Sequence, residues 1–339
     1  MSGTPSVLPV ANFHANQDAA ILRKTLKGFV CHSKELFNII CARCNWQRQE
    51  IARTFNLMYG KNLIKKLKEK LSGAADDQKQ RLLLALMEPV AVYDAKQLRK
   101  AMQGLRRKSV LIEVITSRTN KQMADIRRAY GSMFKTELEF DISRKTSGYF
   151  QERSISSNSI MERETRAIGR LLISLCAGRR DESNHVDQNK AIQDAHKLYS
   201  ARRCRFGLEN YFIDAFTLQS LRQLRHLFEE YEKVAHHSIE AAIEQDFSGS
   251  FRDALIAIVS IVRNKPAYFA KLLHKYIKTC YKYESDIVRL LVSRSECDMA
   301  DITAQYQVLY NKSMAEAIKK HFSGSYKRGL VALVNGNSS

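Results

Sequence analysis

Hydrophobic positions in this chain line one face of a helix, and the same faces return four times. One block reads Leu36-Phe37-x-Ile39-Ile40, then Leu111-Ile112-x-Val114-Ile115, Phe212-Ile213-x-Ala215-Phe216 and Ile287-Val288-x-Leu290-Leu291. Offsets of i, i+1, i+3 and i+4 trace a helical stripe and not the alternation of a strand. Four single-residue columns run in step with it: Ile51, Ile126, Leu227 and Ile302; Phe55, Tyr130, Tyr231 and Tyr306; Leu63, Leu138, Ile239 and Met314; Leu67, Ile142, Ile243 and Ile318. Side-chain size is kept in each column while identity drifts, as core packing tolerates. Polar residues fill the positions between, as solvated outer faces require.

Ser72-Gly73, Ser147-Gly148, Ser248-Gly249 and Ser323-Gly324 index the four copies at steps of 75, 101 and 75 residues. A unit of this length holds several short helices, and the Ser-Gly dipeptide marks a helix start. The longer middle step carries about 26 extra residues between Glu152 and Val186. That stretch contains Ser154, Ser156, Ser157 and Ser159 and the charge cluster Arg179–Asn184, and reads as a connector between two halves. Leu171–Cys176 reads as the last helix of the second unit. A plain surface loop accounts for the serines better than a phosphorylation segment does, because insertions collect in loops.

Composition narrows the class. The 339 residues suffice for a large core, and repeats need not divide into independent domains. Four prolines, two of them Pro5 and Pro9, favour an all-helical body. No apolar run approaches the length of a membrane span and no signal peptide opens the chain, so a soluble, intracellular protein is expected. Seven cysteines, an odd number, argue for free thiols in a reducing compartment. Cys41-x-x-Cys44 lies in a predicted helix without a second pair, so a buried structural role is favoured over zinc.

The net charge of +20 changes the picture further. Such a field favours polyanions, whether anionic membrane, nucleic acid or acidic protein surfaces, unless the charge serves solubility alone. No Gly-rich phosphate loop, paired-histidine metal motif or Gly-x-Ser-x-Gly elbow occurs, and His236-His237 joins no catalytic constellation, so an enzyme is not expected. No RNA-recognition motif or stacking platform is visible, so sequence-specific nucleic-acid binding is not expected either.

Leu22-Arg23-Lys24-Thr25-Leu26-Lys27-Gly28 and Tyr93-Asp94-Ala95-x-x-Leu98-Arg99-Lys100-Ala101-Met102-x-Gly104 each run a helix into a Gly-containing loop. With them stand Gln47-Arg48-Gln49-Glu50-Ile51, Ser117-Arg118-Thr119, Thr146-Ser147-Gly148-Tyr149, Val292-Ser293-Arg294-Ser295-Glu296 and Lys265-Pro266-Ala267-Tyr268-Phe269-Ala270. In these motifs the chain resembles the annexin family from about Asn12 to Gly336, the first two looking like first helices entering the family's calcium loop. The resemblance implies an all-α fold of four repeats, about five helices each, forming a curved disc with its loops on the convex, membrane-facing side. It divides the chain into a tail at 1–13, repeats at 14–86 and 87–160, a connector at 161–186 that includes the last helix of the second repeat, and repeats at 187–260 and 261–336. It also implies calcium-mediated docking on anionic phospholipid. Backbone carbonyls of a Lys-Gly-x-Gly-Thr loop and a carboxylate two residues before each Ser-Gly would hold the ion, a hard cation that takes six to eight oxygens.

Measured against that pattern, three of the four sites have lost their ligands. The first loop reads Lys27-Gly28-Phe29-Val30-Cys31, with Lys70 at the carboxylate position. The second reads Gln103-Gly104-Leu105-Arg106-Arg107-Lys108, one residue short, with Lys145 at that position. The fourth reads Lys278-Thr279-Cys280-Tyr281-Lys282, with His321. The third reads Arg202-Arg203-Cys204-Arg205-Phe206-Gly207-Leu208 and keeps a carboxylate, Asp246. Carbonyls of Arg202, Arg205 and Gly207 with Asp246 would make at most one weak calcium site; the alternative is a salt bridge from Asp246 to one of the arginines.

The losses share a direction. Lys27, Arg106, Arg107, Lys108, Arg202, Arg203, Arg205, Lys278 and Lys282 stand in or beside the loops and supply the positive charge that calcium would bring. Phe29, Phe206 and Tyr281 are candidates for shallow insertion. The expected function is therefore anionic-phospholipid binding that is independent of calcium or only weakly dependent on it, by a cytoplasmic protein peripheral to membranes. A monomer in solution is expected, with assembly on the membrane left open. A scaffold adaptor for acidic cytoskeletal filaments and a binder of RNA or heparin-like polyanions are the alternatives.

Overall fold

A computed structural model describes residues 3–27, 33–73, 76–103, 108–147, 160–204 and 207–337, and these are all helix, turn and connecting segment. Nineteen helices run through the described residues. The first repeat holds α1 (Ala15–Thr25), α2 (Ser33–Cys41), α3 (Asn45–Tyr59), α4 (Leu63–Lys70) and α5 (Asp77–Met87). The second holds α6 (Val90–Gln103), α7 (Lys108–Ser117), α8 (Asn120–Phe134), α9 (Leu138–Ser147) and α10 (Ile160–Cys176). α11 (Gln188–Cys204), α12 (Leu208–Leu218), α13 (Leu221–Ala235) and α14 (Ile239–Asp246) form the third with the start of α15 (Gly249–Lys278). The rest of α15 opens the fourth, followed by α16 (Cys280–Arg294), α17 (Met299–Tyr310), α18 (Met314–His321) and α19 (Gly324–Asn335). α15 is broken at Asn264, whose extended backbone (φ −158°, ψ 92°) precedes Pro266 by two residues, so each repeat has five helical segments.

The hydrophobic columns form the core. Every residue of the four columns is at most 2% exposed, and every position of the block except Ala215 is buried. The described chain forms two compact units, one of residues 1–93 with 266–339 and one of residues 94–265. In the first, α2 and α5 pack on α19, and α5 packs on α16. In the second, α10 packs on α9 and α12.

Repetition extends to the polar joints. Each third helix of a repeat ends on a residue in the left-handed region: Gly60 (φ 61°), Lys135 (φ 55°), His236 (φ 59°) and Asn311 (φ 50°). Asn62, Ser238 and Ser313 then cap the following helix by accepting from Lys65 N (2.9 Å), Ala241 N (3.1 Å) and Glu316 N (3.1 Å). Arg43 meets Asp18 (2.7 and 3.0 Å) and Arg118 meets Asp94 (2.7 and 3.0 Å) at matching places in the first two repeats. Gln219 donates to Asp194 (2.8 Å) in the third, and in the fourth Arg294 lies over the ring of Phe269 (4.6 Å) while pairing with Asp298.

One segment departs from expectation. Helix α10 begins at Ile160 rather than Leu171, so 160–170, expected as connector or loop, is helical. The tail is tied to the body at residues 6–8: Ser6 N donates to Ser295 O (2.9 Å), Ser6 Oγ to Leu333 O (2.5 Å) and Leu8 N to Asn337 Oδ1 (2.8 Å). Ser154, Ser156, Ser157 and Ser159 lie outside the described residues. No described helix is long and apolar enough to cross a membrane.

Candidate functional site

The third repeat builds its loop site around one guanidinium. Arg202 sits in the last turn of α11, and its side chain is only 11% exposed because it turns inward. Its Nε donates to Oδ2 of Asp246, the last residue of α14, whose carboxylate is 7% exposed. Nη1 donates to the hydroxyl of Tyr231 (2.8 Å) in α13 and lies 2.9 Å from Nε2 of His237; Nη2 donates to Gln245 Oε1 (3.0 Å). Burial opposes the Arg202 charge, but the hydrogen bonds to Asp246 and Tyr231 outweigh it and hold the pKa above its ordinary value. Burial pushes the Tyr231 hydroxyl upward in turn.

A cation placed at Asp246 would therefore share the carboxylate with a guanidinium already bonded to its Oδ2. Gly207, in the left-handed region (φ 68°), caps α12, and its carbonyl accepts from Asn210 N (2.9 Å). Of the oxygens expected to hold calcium here, Asp246 Oδ2 and the Gly207 carbonyl thus already accept hydrogen bonds within the protein, which leaves fewer oxygens for a cation that takes six to eight. Among the described residues, no group of three or more His, Cys, Asp or Glu side chains is arranged to hold a metal.

The second repeat has a related cluster on a different carboxylate. Asp141 in α9 accepts from Arg99 of α6 and from the hydroxyl of Tyr130 (2.7 Å), and burial pushes that hydroxyl up to about 12. Lys145 lies one turn further along α9 and is half-buried. Lys70 ends α4 and is half-buried, and His321 ends α18 and is exposed.

Of the basic loop residues, Lys27, Lys108, Arg203, Lys278 and Lys282 are exposed, and Lys282 lies over the ring of Tyr283 (5.4 Å). Arg202 is not a surface cation. Arg106, Arg107, Arg205, Phe29 and Phe206 lie outside the described residues, as does the side chain of Tyr281. Lys27, Lys278 and Lys282 belong to the first unit, Lys108 and Arg203 to the second.

Sequence reasoning passed over the partners that hold Arg202. Tyr231 reads in the sequence only as a core position, and His237 and Gln245 carry no motif. It also passed over α10, where Glu164 accepts from Ser248 N (2.6 Å) and Ser248 Oγ (2.6 Å), tying this helix to the Ser-Gly of the third repeat.

Comparison with known proteins follows the same fourfold division. The annexin family model matches residues 17–86, 93–155, 193–258 and 268–333. The chain is 36% identical over 334 residues to annexin A4 of Bos taurus, covering 98% of each. It is 38% identical over 331 residues to annexin A7 of Homo sapiens, covering 97% of this chain but only 63% of that relative's length. Among solved structures, annexin III matches at a TM-score of 0.88 and 36% identity, covering 99% of this chain and 98% of that one. Chicken annexin V in complex with zinc matches at 0.83 and 31%, covering 99% and 100%. With four repeats of five helical segments and these relatives, the chain belongs to the annexin family.

Proposed function

We propose that the chain docks on anionic phospholipid through fixed basic groups at its repeat loops, with little or no help from calcium. Annexins as a family bind phospholipid, generally with calcium, and this reading keeps the surface and replaces the ion. The observation that carries it is the Arg202–Asp246 pair, which occupies with an internal guanidinium the one carboxylate left at the four equivalent positions. At the other three, Lys70, Lys145 and His321 offer no anionic oxygen.

Exposed Lys27, Lys108, Arg203, Lys278 and Lys282 supply charge toward lipid phosphates. Each basic residue near an anionic leaflet contributes about 1 kcal/mol, so Lys27, Lys278 and Lys282 of the first unit and Lys108 and Arg203 of the second each add affinity. Because the contact is electrostatic, it weakens as salt shortens the screening length. The natural target is the cytoplasmic leaflet, where anionic lipids concentrate.

Sedimentation with phosphatidylserine vesicles, with chelator or with micromolar calcium, tests the reading. Equal binding in both, declining with added salt, is expected. Binding only with calcium, or binding to filaments but not vesicles, would overturn it.

A further inference from the structure

A second basic feature lies in the unit of residues 94–265, on helix α10. A cavity of about 450 Å³ opens between α9, α10 and the start of α12. Arg163, Arg166 and Arg170 line it from α10, Ser143 and Thr146 from α9, and Glu209 from α12. Spacings of three and four place the arginines on one helix face over roughly 10 Å. Arg163 pairs with Glu209 (3.0 Å), and Arg170 donates to Asn210 Oδ1 (2.5 Å). Arg166 is exposed and has no partner among the described residues. Three guanidiniums against one carboxylate leave the lining with a surplus of two positive charges.

The hydroxyls divide the work of recognition. Ser143 is exposed; its carbonyl accepts from Thr146 Oγ1 (3.1 Å), while its hydroxyl has no partner among the described residues and can donate to an anionic oxygen. Thr146 Oγ1 already donates to Ile142 O (2.9 Å), which leaves it an acceptor for a ligand hydroxyl. Gly169 lets α9 and α10 approach this closely: a Cβ there would lie 2.5 Å from Thr146 Oγ1. Ile173 adds an apolar wall.

From these residues we infer that the cavity binds a polyol carrying more than one phosphate. Guanidinium forks match phosphate oxygens in pairs, and a row of three spans more than one phosphate group. The Thr146 acceptor calls for a ligand that also carries hydroxyls. A free inositol polyphosphate and an inositol phospholipid headgroup share this chemistry. The cavity shares no residue with the loop cations of the proposed function, and its chemistry requires no calcium.

Calorimetric titration of the full chain with inositol hexakisphosphate, in chelator, tests the pocket without lipid. Binding is expected, and Arg166→Gln with Arg170→Gln should weaken it about tenfold or more. The double variant should keep its affinity for phosphatidylserine vesicles, whereas Lys278→Ser with Lys282→Ser should lose vesicle affinity and keep that for hexakisphosphate. Vesicles containing phosphatidylinositol bisphosphate, compared with charge-matched phosphatidylserine vesicles, separate the two sources. Preference for the bisphosphate that disappears in the double variant assigns a lipid headgroup; hexakisphosphate binding without that preference assigns a soluble ligand. No binding by the wild type, or equal binding by wild type and double variant with both folded by circular dichroism, would overturn the inference.

Discussion

Arg202 reaches from the end of α11 to Asp246 at the end of α14, so the last carboxylate at the repeat's metal position is matched by a guanidinium of the same repeat. Both side chains are nearly buried, and removing one partner of such a pair costs about 3 kcal/mol because the other is left uncompensated. Arg202→Gln should therefore lower the melting temperature by several degrees and release the Asp246 carboxylate. Calcium should then raise the melting temperature of the variant while leaving the wild type unmoved. Thermal scans in chelator and in calcium read both effects, and a calcium-dependent rise in the wild type would contradict the assignment.

The exposed lysines of the fourth repeat provide the complementary test. Lys278 and Lys282 flank the junction of α15 and α16, and replacing both with Ser should cost about 2 kcal/mol of vesicle affinity, or roughly thirtyfold. Lys61 and Lys312 are equally exposed but precede α4 and α18, at the opposite end of those helices from Lys70 and His321. Replacing that pair with Ser alters net charge identically and should change vesicle binding far less. Sedimentation of the two double variants side by side separates a local contact from a general charge effect.

A pH dependence follows from His274. Its Nδ1 lies 2.9 Å from the Tyr306 hydroxyl, and its ring stacks on Tyr310 with centroids 3.5 Å apart. Burial, and then the charge of Lys278, hold its pKa below the ordinary imidazole value of 6.5. In the window below 6.5 the unfolded chain thus binds more protons than the folded one. Stability must fall as pH drops from 6.5 through the folded value, and the loss is complete below it. His274→Gln should flatten this part of the stability curve relative to the wild type, measured by denaturant titration across the window.

Much of this was legible because four copies of one unit can be compared within one chain. The columns of Phe55, Tyr130, Tyr231 and Tyr306 and their neighbours identified the core, since burial constrains size at each position. Counting back two residues from each Ser-Gly located Lys70, Lys145, Asp246 and His321. What Asp246 touches was not legible beyond two alternatives, because three arginines stood near it in sequence and only tertiary packing chooses among them. The reach of α10 back to Ile160 was hidden by the serines before it, which read as loop by composition. Its arginines at 163, 166 and 170 did carry a helical spacing, but the facing residues Ser143, Thr146 and Glu209 come from two other helices.

The left-handed helix ends show a different limit. Gly60 takes this conformation freely, but the same joint in the second repeat is Lys135, with φ 55°. A residue with a Cβ pays roughly 1 kcal/mol there, so no glycine signal marked the joint. Lys135→Gly should raise stability by about that amount, less the effect of a freer unfolded chain. Gly60→Ala should lower it comparably, with no steric clash, since nothing lies within 4 Å of a Cβ at Gly60. Denaturation midpoints of the two variants, moving in opposite directions, check the argument.

Gly336 combines a different positive-φ conformation, with ψ −163° and so outside the left-handed helical region, with a close approach. Its φ is 78°, and a Cβ there would collide with the carbonyl of Ser6. That carbonyl accepts from Asn337 N (3.2 Å), while the Asn337 side chain donates to Leu8 O (2.7 Å) and Ala42 O (2.9 Å). These bonds hold residues 6–8 in place and keep Val7 at 2% exposure. Gly336→Ala must either strain the end of α19 or lift the strap, and lifting it uncovers Val7 and breaks the bonds of Ser6. The expected cost is about 2 kcal/mol, larger than for Gly60→Ala because a clash is added to the backbone strain. Limited proteolysis should then cut within residues 3–13 faster than in the wild type, whereas Gly60→Ala should leave that rate unchanged. Equal cleavage in all three proteins would mean that α19 absorbs the strain and the strap stays seated.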